Sequence, residues 1–124
     1  MNKKGLIFNN RDELFRFDVN KIVYIKAEGN YARVFTTDGN IKGILIGSNL
    51  AMVSKELEIF SKETKHYFIR IGRKHIVNLD YIFYISLRKK CMILTDFEKF
   101  QFKLDDVALD ALKMLKERIL KLKK

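Results

Sequence analysis

The stretch that most constrains this chain is Tyr67-Phe68-Ile69-Arg70-Ile71-Gly72-Arg73-Lys74-His75-Ile76-Val77-Asn78-Leu79-Asp80-Tyr81-Ile82. Two apolar runs, Tyr67 to Ile71 and Ile76 to Ile82, flank a compact basic knot. Their β-branched and aromatic content favours strands. A glycine inside a strand pattern marks a bulge or tight bend, so Gly72 places the turn between the runs. Arg70, Arg73, Lys74 and His75 then cluster where the backbone turns outward, and no carboxylate follows until Asp80. Such a knot suits a solvated basic loop, or a site that meets phosphates and guanine edges.

Charge favours the second reading. Lys and Arg number 25 against 15 Asp and Glu, a formal net charge of +10. That excess calls for a polyanionic partner: DNA, RNA or an acidic membrane surface. At 124 residues the chain is expected to be one domain, 1–124. Hydrophobic residues make up 48%, enough for a core and too many for global disorder. The lone cysteine, Cys91, excludes an internal disulfide and a thiol-built metal site. It sits in an apolar run and is expected to be buried, which fits a reducing, cytoplasmic setting. The N-terminal apolar run is too short for a signal peptide, and no stretch reaches transmembrane length.

Along the chain, Leu6–Phe8 and Leu14–Phe17 read as a strand hairpin around the turn residues Asn9–Asp12. Ile22–Ala27 is a further strand, broken by Glu28-Gly29-Asn30. Tyr31–Thr37 resumes, with Tyr31, Arg33, Phe35 and Thr37 on one face and Ala32, Val34 and Thr36 on the other. Asp38-Gly39 signals a hairpin turn and Ile41–Ile46 a return strand. Ser48 reads as a helix N-cap, followed by Leu50, Val53, Leu57 and Phe60 on one apolar face, with Lys55, Glu56 and Glu58 on the wet side. Ser61–Lys65 is a polar exit. After the basic knot come a strand at Phe83–Ser86, a basic turn at Leu87–Lys90 and a return at Cys91–Thr95. A turn at Asp96–Lys99 and a last strand at Phe100–Phe102 complete the β part. Asp105 or Asp106 opens a final helix, about 106–123, whose stripe is Ala108, Leu112, Leu115, Ile119 and Leu122. Early acids and late bases complement its dipole. The stripe suits packing on the domain, or a partner helix.

The basic stretch resembles the signature segment of the LytTR DNA-binding domain, roughly F-x-R-x-H-R-S-x-x-V-N-x-x-x-I. Phe68, Arg70, Arg73, Val77, Asn78 and Ile82 match it. Gly72 stands where the family usually has His, and Lys74 where it usually has Ser. Ile22-Val23-Tyr24-Ile25 with Glu28-Gly29-Asn30-Tyr31 is similar to the family's dI-x-y-I-x-a-x-g-n-y segment, and the Ser48-Asn49-Leu50 helix start is also family-like. The likeness is strongest over 19–105. It implies a mainly β, elongated arrangement of small antiparallel sheets with one internal helix and a C-terminal helix, whose loops enter successive DNA major grooves.

The resemblance also implies three contact regions: Asn30, Tyr31 and Arg33; Arg70, Arg73 and Lys74; and Lys103. Asn bonds adenine with two hydrogen bonds, a guanidinium reads guanine O6 and N7, and Lys meets phosphate. Asn30 also suits a plain tight turn with a left-handed backbone. At the third region the family has Ser-Arg, whereas this chain has Lys103-Leu104-Asp105-Asp106, and two carboxylates near DNA are repelled unless they cap the last helix. Asn78, between apolar strands, is expected to satisfy backbone groups rather than read bases.

Catalysis finds no support. His66 and His75 lack a carboxylate or cysteine at motif spacing, Ser48 has no G-x-S-x-G context, and no glycine-rich phosphate cradle precedes a helix. The expected function is sequence-specific double-stranded DNA binding as a transcriptional regulator, without cofactor, metal, membrane or small-molecule substrate. Repeated half-sites, with weak monomers or dimers pairing on DNA, are the implied partner geometry. An RNA-binding β module stacking bases on Tyr31 or Phe97, or a non-catalytic protein-interaction domain, are the alternatives. Many LytTR proteins carry a receiver domain ahead of this module. This chain begins almost at its first strand, which suggests a stand-alone regulator or a fragment.

Overall fold

The computed structural model describes residues 5–37, 43–64, 68–98 and 101–122. The expected turn at Asp38-Gly39, Lys65, Tyr67, and Lys99-Phe100 lie outside the described residues. Strands β1 (Gly5–Asn9) and β2 (Leu14–Asp18) form the expected hairpin. The carbonyl of the Asn10 side chain closes its turn, accepting from the N–H groups of Asp12 and Glu13 at 3.0 and 2.8 Å. Next come β3 (Ile22–Glu28), β4 (Tyr31–Thr36), β5 (Ile44–Ile46) and helix α1 (Leu50–Thr64). β6 (Phe68–Ile71), β7 (His75–Asn78), β8 (Ile82–Ser86), β9 (Cys91–Thr95), β10 (Gln101–Leu104) and helix α2 (Leu109–Leu122) complete the order. No helix among the described residues is long and apolar enough to cross a membrane.

A five-stranded antiparallel sheet, β5-β4-β3-β7-β6, occupies the middle. Its central strand, Ile22-Val23-Tyr24-Ile25, is buried at four consecutive positions, the mark of a strand covered on both faces. A register irregularity between Ile22 and Tyr24 re-phases it, so that Ile22 and Ile25 enter one cluster and Val23 and Tyr24 the other. The first cluster is closed by the β1–β2 hairpin and α1, through Phe8, Phe17, Val53 and Leu57. The second is closed by the sheet β10-β9-β8 and α2, through Met92, Leu94, Leu112 and Leu115. β4 divides likewise: Ala32 and Val34 face α1, and Phe35 enters the second cluster.

Several boundaries differ from the sequence expectation. Asn49, not Ser48, caps α1: its side-chain oxygen accepts the Met52 N–H at 2.9 Å, while Ser48 is buried. The return strand starts at Ile44, residues 41 and 42 lying outside the described set. The run Ile76–Ile82 is not one strand. A one-turn 3-10 helix, Leu79–Tyr81, divides it, because the Asn78 side chain accepts the Asp80 N–H at 3.0 Å. Neither Asp105 nor Asp106 opens α2. Asp106 takes φ +54°, and the Val107 N–H donates to the Lys90 carbonyl at 3.0 Å, so the buried Val107 pins the chain and the helix starts only at Leu109. Ala108 therefore precedes the helix and is exposed, and Leu122 is exposed as well. Leu112 and Leu115 are fully buried, with Ile119 packed beside them, so the stripe packs on its own domain. Cys91 is buried, as expected.

Candidate nucleic-acid interface

Two turns meet at one end of the five-stranded sheet. The first, Gly29-Asn30, joins β3 to β4 and is closed by the Glu28–Tyr31 pair. Gly29 has φ +63°, so the glycine rather than Asn30 supplies the left-handed position, and Asn30 and Tyr31 are exposed beyond it. The second, Gly72-Arg73-Lys74, joins β6 to β7 and is closed by the Ile71–His75 pair. Gly72 has φ +60° with open space where a Cβ would stand, so backbone conformation, not crowding, requires glycine. Arg70 Nε donates to the Gly72 carbonyl at 3.3 Å and braces the turn. Arg73 and Lys74 are exposed at its tip.

The antiparallel pairing of β3 with β7 brings these turns together. Lys26 stands opposite His75, and the Ala27 N–H donates to the Lys74 carbonyl at 2.7 Å. On the other side of β3, Lys26 stands opposite Arg33. One level of the sheet thus carries Arg33, Lys26 and His75 side by side. Like charges directly opposite are unfavourable. Part of that cost is offset at Arg33, whose Nε and Nη2 donate to Glu28 at 2.5 and 3.3 Å. This bidentate clasp, with Arg33 itself and then Lys26 adding their positive charge, holds the Glu28 carboxyl below its usual range. It also fixes the guanidinium, whose stem lies over Gly43 so closely that a Cβ there would come within 2.7 Å of it.

His75 is half-buried beside Tyr24, with ring centroids 6.1 Å apart, and its Nδ1 is buried with no hydrogen-bond partner among the described residues. Burial first, then the charges of Lys26 and Lys74, push its pKa below the ordinary value. Lys26 is not among the residues the sequence points to, and His75 enters there only as a member of the basic knot. The signal for Lys26 was present: it follows the buried Ile25 and shares a strand face with Tyr24.

Lys103 lies on a different sheet. Its neighbour Phe102 packs its ring 5.4 Å from Tyr24 and 5.0 Å from Phe35, which ties β10 to the same face of the five-stranded sheet. Lys103 is exposed, with Nζ 3.5 Å from Asp105, so this carboxylate neutralises the lysine instead of capping α2. Asn78 lies apart from these exposed groups. It is 1% exposed, and its Nδ2 donates to the Ile22 carbonyl at 2.8 Å. No group of three or more His, Cys, Asp or Glu suited to a metal ion occurs among the described residues.

A family model described as the LytTr DNA-binding domain matches residues 12–117. Among solved structures, the chain is similar to one from Bacillus cereus, described as the LytTr DNA-binding domain of a methyl-accepting/DNA response regulator. The TM-score is 0.60 at 15% identity, covering 95% of this chain and 98% of that one. At that identity the likeness concerns the fold: mainly β, in small antiparallel sheets with two helices, as the signature residues imply. No curated protein matches the chain significantly.

Proposed function

We propose, on the premise that this chain belongs to the LytTr DNA-binding domain family, that it recognises double-stranded DNA sequence-specifically through loops presented to successive major grooves. Membership itself makes the chain a DNA-binding module of transcription regulation. The observation that carries the finer reading is the pairing of β3 with β7, which sets Asn30 and Arg73 on adjoining exposed turns. Arg73 is the reader of guanine, with two donors for O6 and N7, and Asn30 the reader of adenine. Tyr31 contacts the backbone or a thymine methyl beside them. Arg70 and Lys74 hold phosphates flanking Arg73. Arg33, oriented by Glu28, adds a fixed positive edge, and Lys103 adds a weaker phosphate contact because Asp105 shares its charge. Phosphate neutralisation supplies most of the affinity, and base contacts the discrimination.

The test is selection of bound sequences from random duplex DNA, followed by anisotropy titrations on the selected site and on scrambled DNA. Arg73→Ala removes a bidentate donor and is expected to lose about 1–3 kcal/mol of discrimination at one position. Lys89→Ala, outside the three contact regions, keeps the parent's sequence preference. Absence of an enriched sequence, or an Arg73→Ala variant that discriminates as well as the parent, refutes the assignment.

A further inference from the structure

The cross-strand level that carries Lys26 has a chemical property beyond positive charge. Lys26 is exposed on the central strand, with Arg33 opposite on one side and His75 on the other. Glu28, the nearest acid on these strands, is engaged by Arg33. Among the described residues, no carboxylate lies within ion-pair distance of Lys26. The charged and titratable groups that act on or touch His75 are Tyr24 and Lys26 on β3 and Lys74 on the turn, while Arg70, paired with Ile76, stands on the opposite face of the sheet. None of these is an acid. Glu28 answers Arg33 and feels the charge of Lys26, yet the level keeps an excess of positive charge that an anion can meet.

We propose that Lys26 and His75 together form a DNA-phosphate contact across β3 and β7, and that His75 takes up a proton when the phosphate arrives. The inference rests on the DNA reading above and deepens it. In the free protein, burial and then its two lysine neighbours disfavour the protonated ring. A phosphate beside Lys26 and Lys74 cancels the lysines' field and adds a negative charge of its own. Two of the three influences that disfavour the imidazolium are thereby reversed. The phosphate array acts here as a field, so it needs no direct bond to the buried Nδ1.

The sign follows from linkage. The bound complex holds more protons than the free protein between the lowered free value and the raised bound value. Affinity therefore climbs as pH falls through the bound value and levels off below the free one, by at most about tenfold per pH unit for one proton. The experiment uses the full chain and a duplex carrying its selected site, at constant ionic strength. Anisotropy titrations from about pH 7.5 to about pH 5.5 bracket the ordinary histidine value. The parent is expected to tighten roughly three- to tenfold across this range, and His75→Gln to lose most of that change. Lys26→Ala is expected to lower the slope of log affinity against log salt by about one. Titration of the His75 ring by NMR, with and without duplex, reads the same event in the unaltered protein and needs no variant to fold. An upward shift of the ring's pKa on DNA supports the proposal. An unmoved ring, a His75→Gln profile identical to the parent's, or an unchanged salt slope in Lys26→Ala overturns it while leaving DNA binding intact. Failure of the parent to bind any duplex instead removes the DNA reading, and the proposal with it.

Discussion

Asn78 stands in the same signature segment as the proposed reader Arg73, but its bonds assign it to holding the fold. Its amide donates to the Ile22 carbonyl at 2.8 Å, and its oxygen accepts from the Asp80 N–H at 3.0 Å. Replacement by Ala leaves the Ile22 carbonyl unsatisfied in a buried place, at about 1–3 kcal/mol. It also removes the cap of the 3-10 turn, at about 0.5–2 kcal/mol. The two losses share one side chain and overlap, so about 2–4 kcal/mol is expected in sum. For a domain near this size, 1 kcal/mol corresponds to roughly 3–6 °C, so Asn78→Ala should melt about 6–24 °C below the parent. Asn78→Asp keeps the acceptor for Asp80 but faces the Ile22 carbonyl with a second oxygen in a buried site. It should be at least as destabilising as Ala. Urea unfolding followed by circular dichroism measures the loss, and an unchanged slope against denaturant confirms that stability itself moved. Well below the melting temperature, both variants should keep the parent's preference for the selected DNA site. A variant that melts with the parent and loses that preference would make Asn78 a reader and refute the argument.

Asn49→Ala should cost about 1 kcal/mol through loss of the α1 cap, while Asn49→Asp retains most of the stability; thermal melts of both decide it. Leu115→Lys places a charge at a fully buried position between α2 and the second cluster. It should destabilise by about 3 kcal/mol or more, and a tight parent dimer that Leu115→Lys abolishes without unfolding would show that the helix stripe is an interface instead. Because His75 has a pKa below its ordinary value in the folded chain, the unfolded chain binds the proton first. Its contribution to stability is unperturbed above about pH 6.5 and falls as pH drops toward the lowered folded value. His75→Gln should flatten that part of the melting profile, and an identical acid slope in both proteins would contradict it.

Much of the organisation is local and was therefore legible in the residues alone. β-branched and aromatic content mark β3, β6 and β7, alternation marks β4, and the 50, 53, 57, 60 spacing marks the buried face of α1. Gly29 and Gly72 mark the two turns because their backbone takes positive φ, which side chains resist. The basic knot and the family signature pointed to Arg73 and Lys74, and the structure places both on an exposed turn. The cap of α1 was misplaced by one residue, since Ser48 and Asn49 have nearly equal capping chemistry and only the docked geometry chooses between them.

What tertiary structure alone decided is the pairing of β3 with β7 across a long separation in sequence. Register there is set by burial: Ile76 must join the α1 cluster and Val77 the α2 cluster, and a slip by one residue exchanges them. That register, which no local propensity encodes, brings the Asn30 turn beside the Arg73 turn and sets Lys26 opposite His75. The start of α2 was decided the same way. Asp105 and Asp106 carry good capping chemistry, but the left-handed turn at Asp106, the burial of Val107 and its bond to the Lys90 carbonyl keep the chain out of the helix until Leu109. A long-range anchor outweighed the local signal because burying an apolar side chain and satisfying its backbone N–H together exceed the worth of a single exposed cap.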